Sequence, residues 1–160
     1  MVPYFLDTNI LVYSFGENEP RKRSIARALV ESGDAAISTQ VLSELANVLT
    51  RRLGFTPAET RSRIVGIAGR CEVSAVTPAV IGDALRIVER YRFAFFDSQI
   101  VAAALAAGAR TLYSEDLQHG QEIDGALMIR SPFRNAVEQA AGRYRVRRAR
   151  RAKRGNRVHG

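Results

Sequence analysis

Residues 3–15 read PYFLDTNILVYSF, a short apolar run stopped by a carboxylate and followed at once by a second apolar run. Tyr4, Phe5 and Leu6 suit a buried strand, Asp7, Thr8 and Asn9 can all cap a helix, and Ile10 to Val12 begin that helix's apolar face. A strand that ends on Asp7 and turns directly into a helix leaves the carboxylate at the strand's carboxyl end. Open α/β sheets bind their ligands there.

The same alternation continues along the chain. A polar break at 18–23 (NEPRKR) precedes a helix from about Ser24 to Glu31 that ends near Gly33, and Ala35 to Ile37 form a second strand. Ser38 or Thr39 then caps a helix through VLSELANVLTRRL that stops at Gly54. Thr56, Pro57 and Glu59 carry the start signals of a helix reaching Ala68, and Cys71 to Val76 read as a third strand. Thr77 and Pro78 open a helix to Tyr91, and Phe95 and Phe96 lead into Asp97, which opens the helix SQIVAAALAAGA. Thr111 to Tyr113 is a fourth strand, Glu115 and Asp116 sit in the turn after it, and Ala126 to Ile129 is a fifth. A short last helix is expected from Phe133 to Ala141. Short strands alternating with helices predict an α/β fold, a parallel β-sheet flanked by helices on both faces.

Charge divides the chain in two. All 16 Asp and Glu precede Gly142, whereas nine of the 24 Lys and Arg follow it. The expected organisation is one domain over residues 1–141 and a basic tail over 142–160. The tail is too poor in apolar residues to order itself; cationic arms of this kind usually meet nucleic acid, and the alternative is a solvated tail that only aids solubility. Its candidate nucleic-acid contacts are Arg143, Arg145, Arg147, Arg148, Arg150, Arg151, Lys153 and Arg154. Cys71 is the single cysteine, which excludes an intramolecular disulfide and a cysteine-rich zinc site. The first residues lack the cationic start of a secretory signal, and the apolar stretch at 100–109 is too short to span a bilayer. A cytoplasmic location is the expectation.

Three acids fall at starts or turns near strand ends: Asp7, Asp97 and Asp116. A fourth, Glu44, lies at the border of the apolar stripe formed by Val41, Leu42, Leu45, Val48 and Leu49. Each has an ordinary reading: Asp7 and Asp97 as helix caps, Asp116 as a turn residue, Glu44 as a partner of Arg51 or of a neighbouring helix. Parallel strands, however, deliver such residues to one edge of the sheet. Clustered carboxylates repel unless cations hold them, and oxygen-rich, histidine-poor clusters suit hard ions such as Mg²⁺ or Mn²⁺. With only His119 and His159 present, a zinc hydrolase with several imidazole ligands is not expected.

FLDTNILVY at 5–13, SELANVL at 43–49, FFDSQIVAAAL at 95–105 and LYSEDLQHG at 112–120 together resemble the acidic motifs of PIN-domain nucleases, in that family's order. IRSPF at 129–133 resembles the ending common in VapC-type toxins of bacterial toxin–antitoxin pairs. The resemblance implies that Asp7, Glu44, Asp97 and Asp116 are metal-binding catalytic acids, with Thr8, Asn9 and Ser114 orienting them. It also implies a PIN-like fold, Mg²⁺- or Mn²⁺-dependent endoribonuclease activity on tRNA, rRNA or mRNA, a cognate antitoxin and a homodimer. The basic tail lies outside the usual pattern. Glu115 competes with Asp116 for the fourth position, and the motif register favours Asp116. Arg51 and Arg52 can serve phosphate contact or the helix C-terminus equally well.

Two other readings start from the same residues. An Asp-dependent phosphatase would use Asp7 as nucleophile, but such enzymes generally need a late lysine, and the chain's lysines are Lys22 and Lys153. A non-catalytic RNA-binding module would rely on the tail. In either RNA reading, deletion after Gly142 is expected to weaken RNA binding and flatten its salt dependence, by roughly 0.7 in log–log slope for each lost phosphate contact. Unchanged affinity and slope in a filter-binding titration would remove the tail from RNA recognition.

Overall fold

The computed structural model describes residues 2–134. The tail and its arginines lie outside the described residues, as does the expected last helix beyond Arg134; Phe133 itself sits in a turn. Six strands form one sheet: β1 (Tyr4–Leu6), β2 (Ala35–Ser38), β3 (Glu72–Ser74), β4 (Thr111–Tyr113), β5 (Glu122–Ile123) and β6 (Leu127–Arg130). Six helices connect them: α1 (Thr8–Tyr13), α2 (Pro20–Glu31), α3 (Thr39–Arg51), α4 (Pro57–Ala68), α5 (Pro78–Tyr91) and α6 (Phe95–Ala106). The strand order is β3-β2-β1-β4-β6-β5. Every pairing from β3 to β6 is parallel.

All four residues of β2 are buried, which requires cover on both faces and explains the absence of an alternating pattern. Phe5, Leu6, Ile37, Leu112 and Ile129 of the strands meet Ile10, Leu11, Leu45, Leu49, Ile87 and Ile100 of the helices in one core. The chain leaves β1 toward β2 and β3 on one side, then returns to place β4 on the other. The strand order therefore reverses between β1 and β4, and a crevice opens at their carboxyl ends.

Four details differ from the expectations. The sheet is not wholly parallel, because β5 pairs antiparallel with β6. Three residues, Asp124–Ala126, connect them; Asp124 and Gly125 have φ of 52° and 65°, and the Ala126 N–H closes the turn on the Ile123 carbonyl at 3.0 Å. Helix α2 begins at Pro20 rather than Ser24, since Pro at the first turn is itself a start signal and the basic residues after it join the helix, Lys22 reaching back to Glu115. Strand β3 is confined to Glu72–Ser74. Helix α6 starts at Phe95 behind Ala94, which gives no side-chain cap, so Asp97 lies inside the first turn instead of capping it.

Ser38 caps α3 by accepting the Val41 N–H, while Thr39 Oγ1 accepts the Val76 N–H. Leu45, fully buried on α3 beside Glu44, tests the core independently of the acids. Leu45→Ala is expected to lower unfolding free energy by about 2–5 kcal/mol in urea denaturation. A change below ~1 kcal/mol would contradict this packing.

Candidate active site

The crevice between β1 and β4 holds the acids. Asp7 follows β1 and caps α1, with Oδ1 accepting the Thr8 N–H at 2.7 Å. Its Oδ2 accepts the Ser114 hydroxyl at 2.7 Å and the Asn9 side-chain amide at 3.2 Å. The same Asn9 amide donates to Asp116 Oδ2 at 3.0 Å, and Asn9 Oδ1 accepts the Glu115 N–H at 3.2 Å. Asn9 thus ties the end of β1 to the turn after β4. Ser114, fully buried, completes the tie by accepting the N–H groups of Asp116 and Leu117.

Glu44 enters from α3, half-buried. Its carboxylate accepts Thr8 Oγ1 at 2.6 Å and Gln40 Nε2 at 2.7 Å, and it forms no ion pair with Arg51. Gln40 also donates to the Phe96 carbonyl and accepts from Gln99 Nε2 at 2.6 Å. These two buried glutamines join α3 to the first turn of α6, from which Asp97 projects. Neither was singled out from the sequence. The available signal was their placement, four residues before Glu44 and two after Asp97.

Asp7, Glu44, Asp97 and Asp116 all line one cleft of about 720 Å³, together with Thr8 and Asn9. Glu115, adjacent to Asp116, also borders it but is engaged elsewhere. Its carboxylate accepts Lys22 Nζ and Tyr13 Oη, each at 2.5 Å, and these bonds outweigh burial and hold it below the usual carboxylate range. Arg51 is exposed in the last turn of α3, and Arg52 reaches the cleft wall. His119 is turned to another task, its Nδ1 accepting the Ser131 N–H.

Burial pushes Asp7 up to about 6; the bonds from Ser114 and Thr8 oppose the shift, and the charges of Asp116 and Glu44 add to it. Asp97 is raised by burial, then by Asp116 and Glu44. Among the described residues no three His, Cys, Asp or Glu side chains form a ready-made metal cage. The fit to a metal is one of donor chemistry: four carboxylates in one cleft, mutually repelling, with hard oxygen donors and no imidazole or thiolate. Such a set suits Mg²⁺ or Mn²⁺.

The domain is an open, mainly parallel α/β fold with its carboxylates at the β1–β4 switch point, the place where such sheets hold their ligands. The PIN domain family matches residues 4–121, and the chain belongs to that family. Comparison with curated proteins finds no match. Solved structures share the fold. DNA-bound VapBC from Salmonella typhimurium aligns with a TM-score of 0.61 at 20% identity, covering 82% of this chain and 99% of that one. VapBC2 from Rickettsia felis, bound to a DNA fragment from its promoter, aligns with a TM-score of 0.58 at 22% identity over 80% and 97%. Mycobacterium tuberculosis VapC20, a toxin that cleaves the sarcin–ricin loop, aligns with a TM-score of 0.56 at 20% identity over 69% and 88%.

The raised Asp7 gives a pH test. Its folded value of about 6 lies above its ordinary 3.8, so the folded state binds the proton more tightly. The stability this provides is complete below pH ~4 and is lost as pH rises through ~6. In EDTA, wild-type stability relative to Asp7→Asn is expected to fall by up to about 3 kcal/mol between pH 4 and pH 7.5, measured by urea denaturation. A difference that does not vary with pH would contradict a buried, proton-seeking Asp7.

Proposed function

We infer that the protein is a Mg²⁺- or Mn²⁺-dependent endoribonuclease, the toxin of a toxin–antitoxin pair, acting in the cytoplasm on tRNA, rRNA or mRNA. The observation that carries this reading is the convergence of Asp7, Glu44, Asp97 and Asp116 from four separate elements on one cleft. Asp7 and Asp97 are the direct metal ligands, with Glu44 and Asp116 as direct or water-mediated ones. When bound, divalent cations would neutralise the phosphodiester, lower the pKa of a water for attack on phosphorus and stabilise the leaving oxygen.

The chain's own residues prepare that site. Asn9 and Ser114 fix the Asp7 carboxylate and the Asp116 turn, Thr8 and Gln40 fix Glu44, and Gln40 with Gln99 sets α6 against α3. The first turn of α6 places Asp97 at the positive end of the helix dipole, which opposes the upward push of burial, Asp116 and Glu44. Lys22 neutralises Glu115, which reduces unwanted negative charge beside the cleft. In-line attack of that water opposite the 3′-oxygen forms the new P–O bond as P–O3′ breaks; the departing 3′-oxygen takes a proton, leaving 5′-phosphate and 3′-hydroxyl ends.

A cognate antitoxin and a homodimer are the partners this reading brings. The DNA-bound VapBC neighbours support it through their shared fold.

Incubation of end-labelled total RNA with purified protein should give discrete cuts with Mg²⁺ or Mn²⁺ and none with EDTA. Folded Asp97→Asn should lose at least ~10²-fold in rate, the scale of removing one electrostatic element of a site. Tight RNA binding without cleavage under any metal would favour the non-catalytic RNA-binding module.

A further inference from the structure

A second cleft, of about 570 Å³, adjoins the acidic one, and Glu17 borders both. Its charge is opposite. Arg23 and Arg27 enter it from α2, one turn apart, and Arg63 and Arg70 from α4 and its end, two turns apart. Glu17 and Glu31 are the acids at its wall, which leaves a net excess of positive charge.

Among the described residues none of these arginines forms a salt bridge. Arg27 Nε donates to the Ser14 carbonyl at 3.1 Å, and Arg23 Nε is buried with no hydrogen-bond partner there. Arg70 folds back over α4 and donates to the Gly66 carbonyl at 2.8 Å. A Cβ at Gly66 would stand 3.3 Å from that guanidinium. Glycine inside a helix costs about 1 kcal/mol against alanine, and here it leaves room for the arginine to lie along the cleft. Two aromatic rings complete the lining. Phe15 and Phe55 pack edge to face at 6.5 Å, and the Arg63 guanidinium lies 5.9 Å from the Phe55 ring centre.

We propose that this arginine cleft is a second RNA-backbone site, gripping phosphates of the strand whose scissile phosphate is presented to the acids next door. The proposal rests on the nuclease reading of the acidic cleft. Guanidinium forks match phosphate oxygens in pairs, and a half-buried aromatic pair offers a base a stacking surface. Asp7 caps the start of α1 and Ser14 its end, seven residues on. At ~1.5 Å per residue the two ends stand roughly 10 Å apart. That span is about three nucleotides of stacked strand at ~3.4 Å each. An acidic peptide would also satisfy the arginines. The aromatic pair and the continuity with the acidic cleft favour nucleic acid.

The test is binding of a fluorescein-labelled, mixed-sequence single-stranded RNA of about 15 nucleotides to full-length protein, in an Asp97→Asn background so that RNA is not cut. Arg63→Gln combined with Arg70→Gln changes two exposed side chains; Arg27→Gln is an independent second variant, and Arg61→Gln, exposed on α4 outside the cleft, is the control. The double variant should bind about tenfold more weakly near 0.1 M salt. Its salt slope should be shallower by roughly 1.4, about 0.7 for each lost phosphate contact. Arg27→Gln should weaken binding in the same direction. In the Asp97 background, affinities within twofold of the control for both variants overturn the proposal. So does an Asp/Glu-rich peptide whose binding is abolished by the double variant while RNA affinity is kept, which would assign the cleft to a protein partner. If the variants weaken RNA binding as expected but the wild type cuts no RNA with Mg²⁺ or Mn²⁺, the arginine cleft stands and the nuclease reading falls.

Discussion

The Asp7 carboxylate is the constraint on which the site depends. It is placed at the end of β1, 6% exposed, where ionisation is opposed by burial and by two neighbouring acids. It persists there because Thr8, Ser114 and Asn9 each donate a hydrogen bond to it. Two of those donors lie in the same turn of chain as Asp7, and the third comes from the end of β4, more than a hundred residues away. A buried anion satisfied by donors from two adjacent strands fixes the register of those strands and the direction of their turns.

The fold supplies the rest of the arrangement without further contrivance. Because the strand order reverses between β1 and β4, the turn after each strand faces the same crevice. Helix α3 brings Glu44 across from β2, and the Gln40–Gln99 bond locks α3 to the helix bearing Asp97. Repulsion among the acids is the expected cost of gathering four carboxylates in one cleft. Hydrogen bonding offsets part of it, and a hard divalent cation would offset more.

Much of this was legible in the sequence, for local reasons. Strand β1, the Asp7 turn and the α4 start depend on short-range capping chemistry, and the structure retains them, including the full Thr56–Glu59 capping box. The apolar period placed Glu44 at the edge of the buried face, where it lies half-buried. The misses have physical causes too. Strand β5 has two residues, too few for any periodicity, although Asp124–Gly125 is a hairpin signal in itself. Asp97 resembles a cap because its neighbours Phe95 and Phe96 look like strand residues, yet the helix begins at Phe95 with no side-chain cap at all. Lys22 and Glu115 are 93 residues apart, and the arginines of α2 and α4 face one cleft only after the helices pack; neither pairing leaves a trace in local pattern.

The central claim is that the carboxylate cleft is a metal site, and crystals soaked in Mn²⁺ test it most directly. Anomalous diffraction at the manganese edge should show a peak within ligand distance of Asp7 and Asp97, at about 2.0–2.3 Å, with Glu44 and Asp116 direct or one water removed. The peak should vanish from crystals of Asp97→Asn. Fully exchanged crystals with no peak in that cleft, or a peak undiminished by the substitution, would contradict the account.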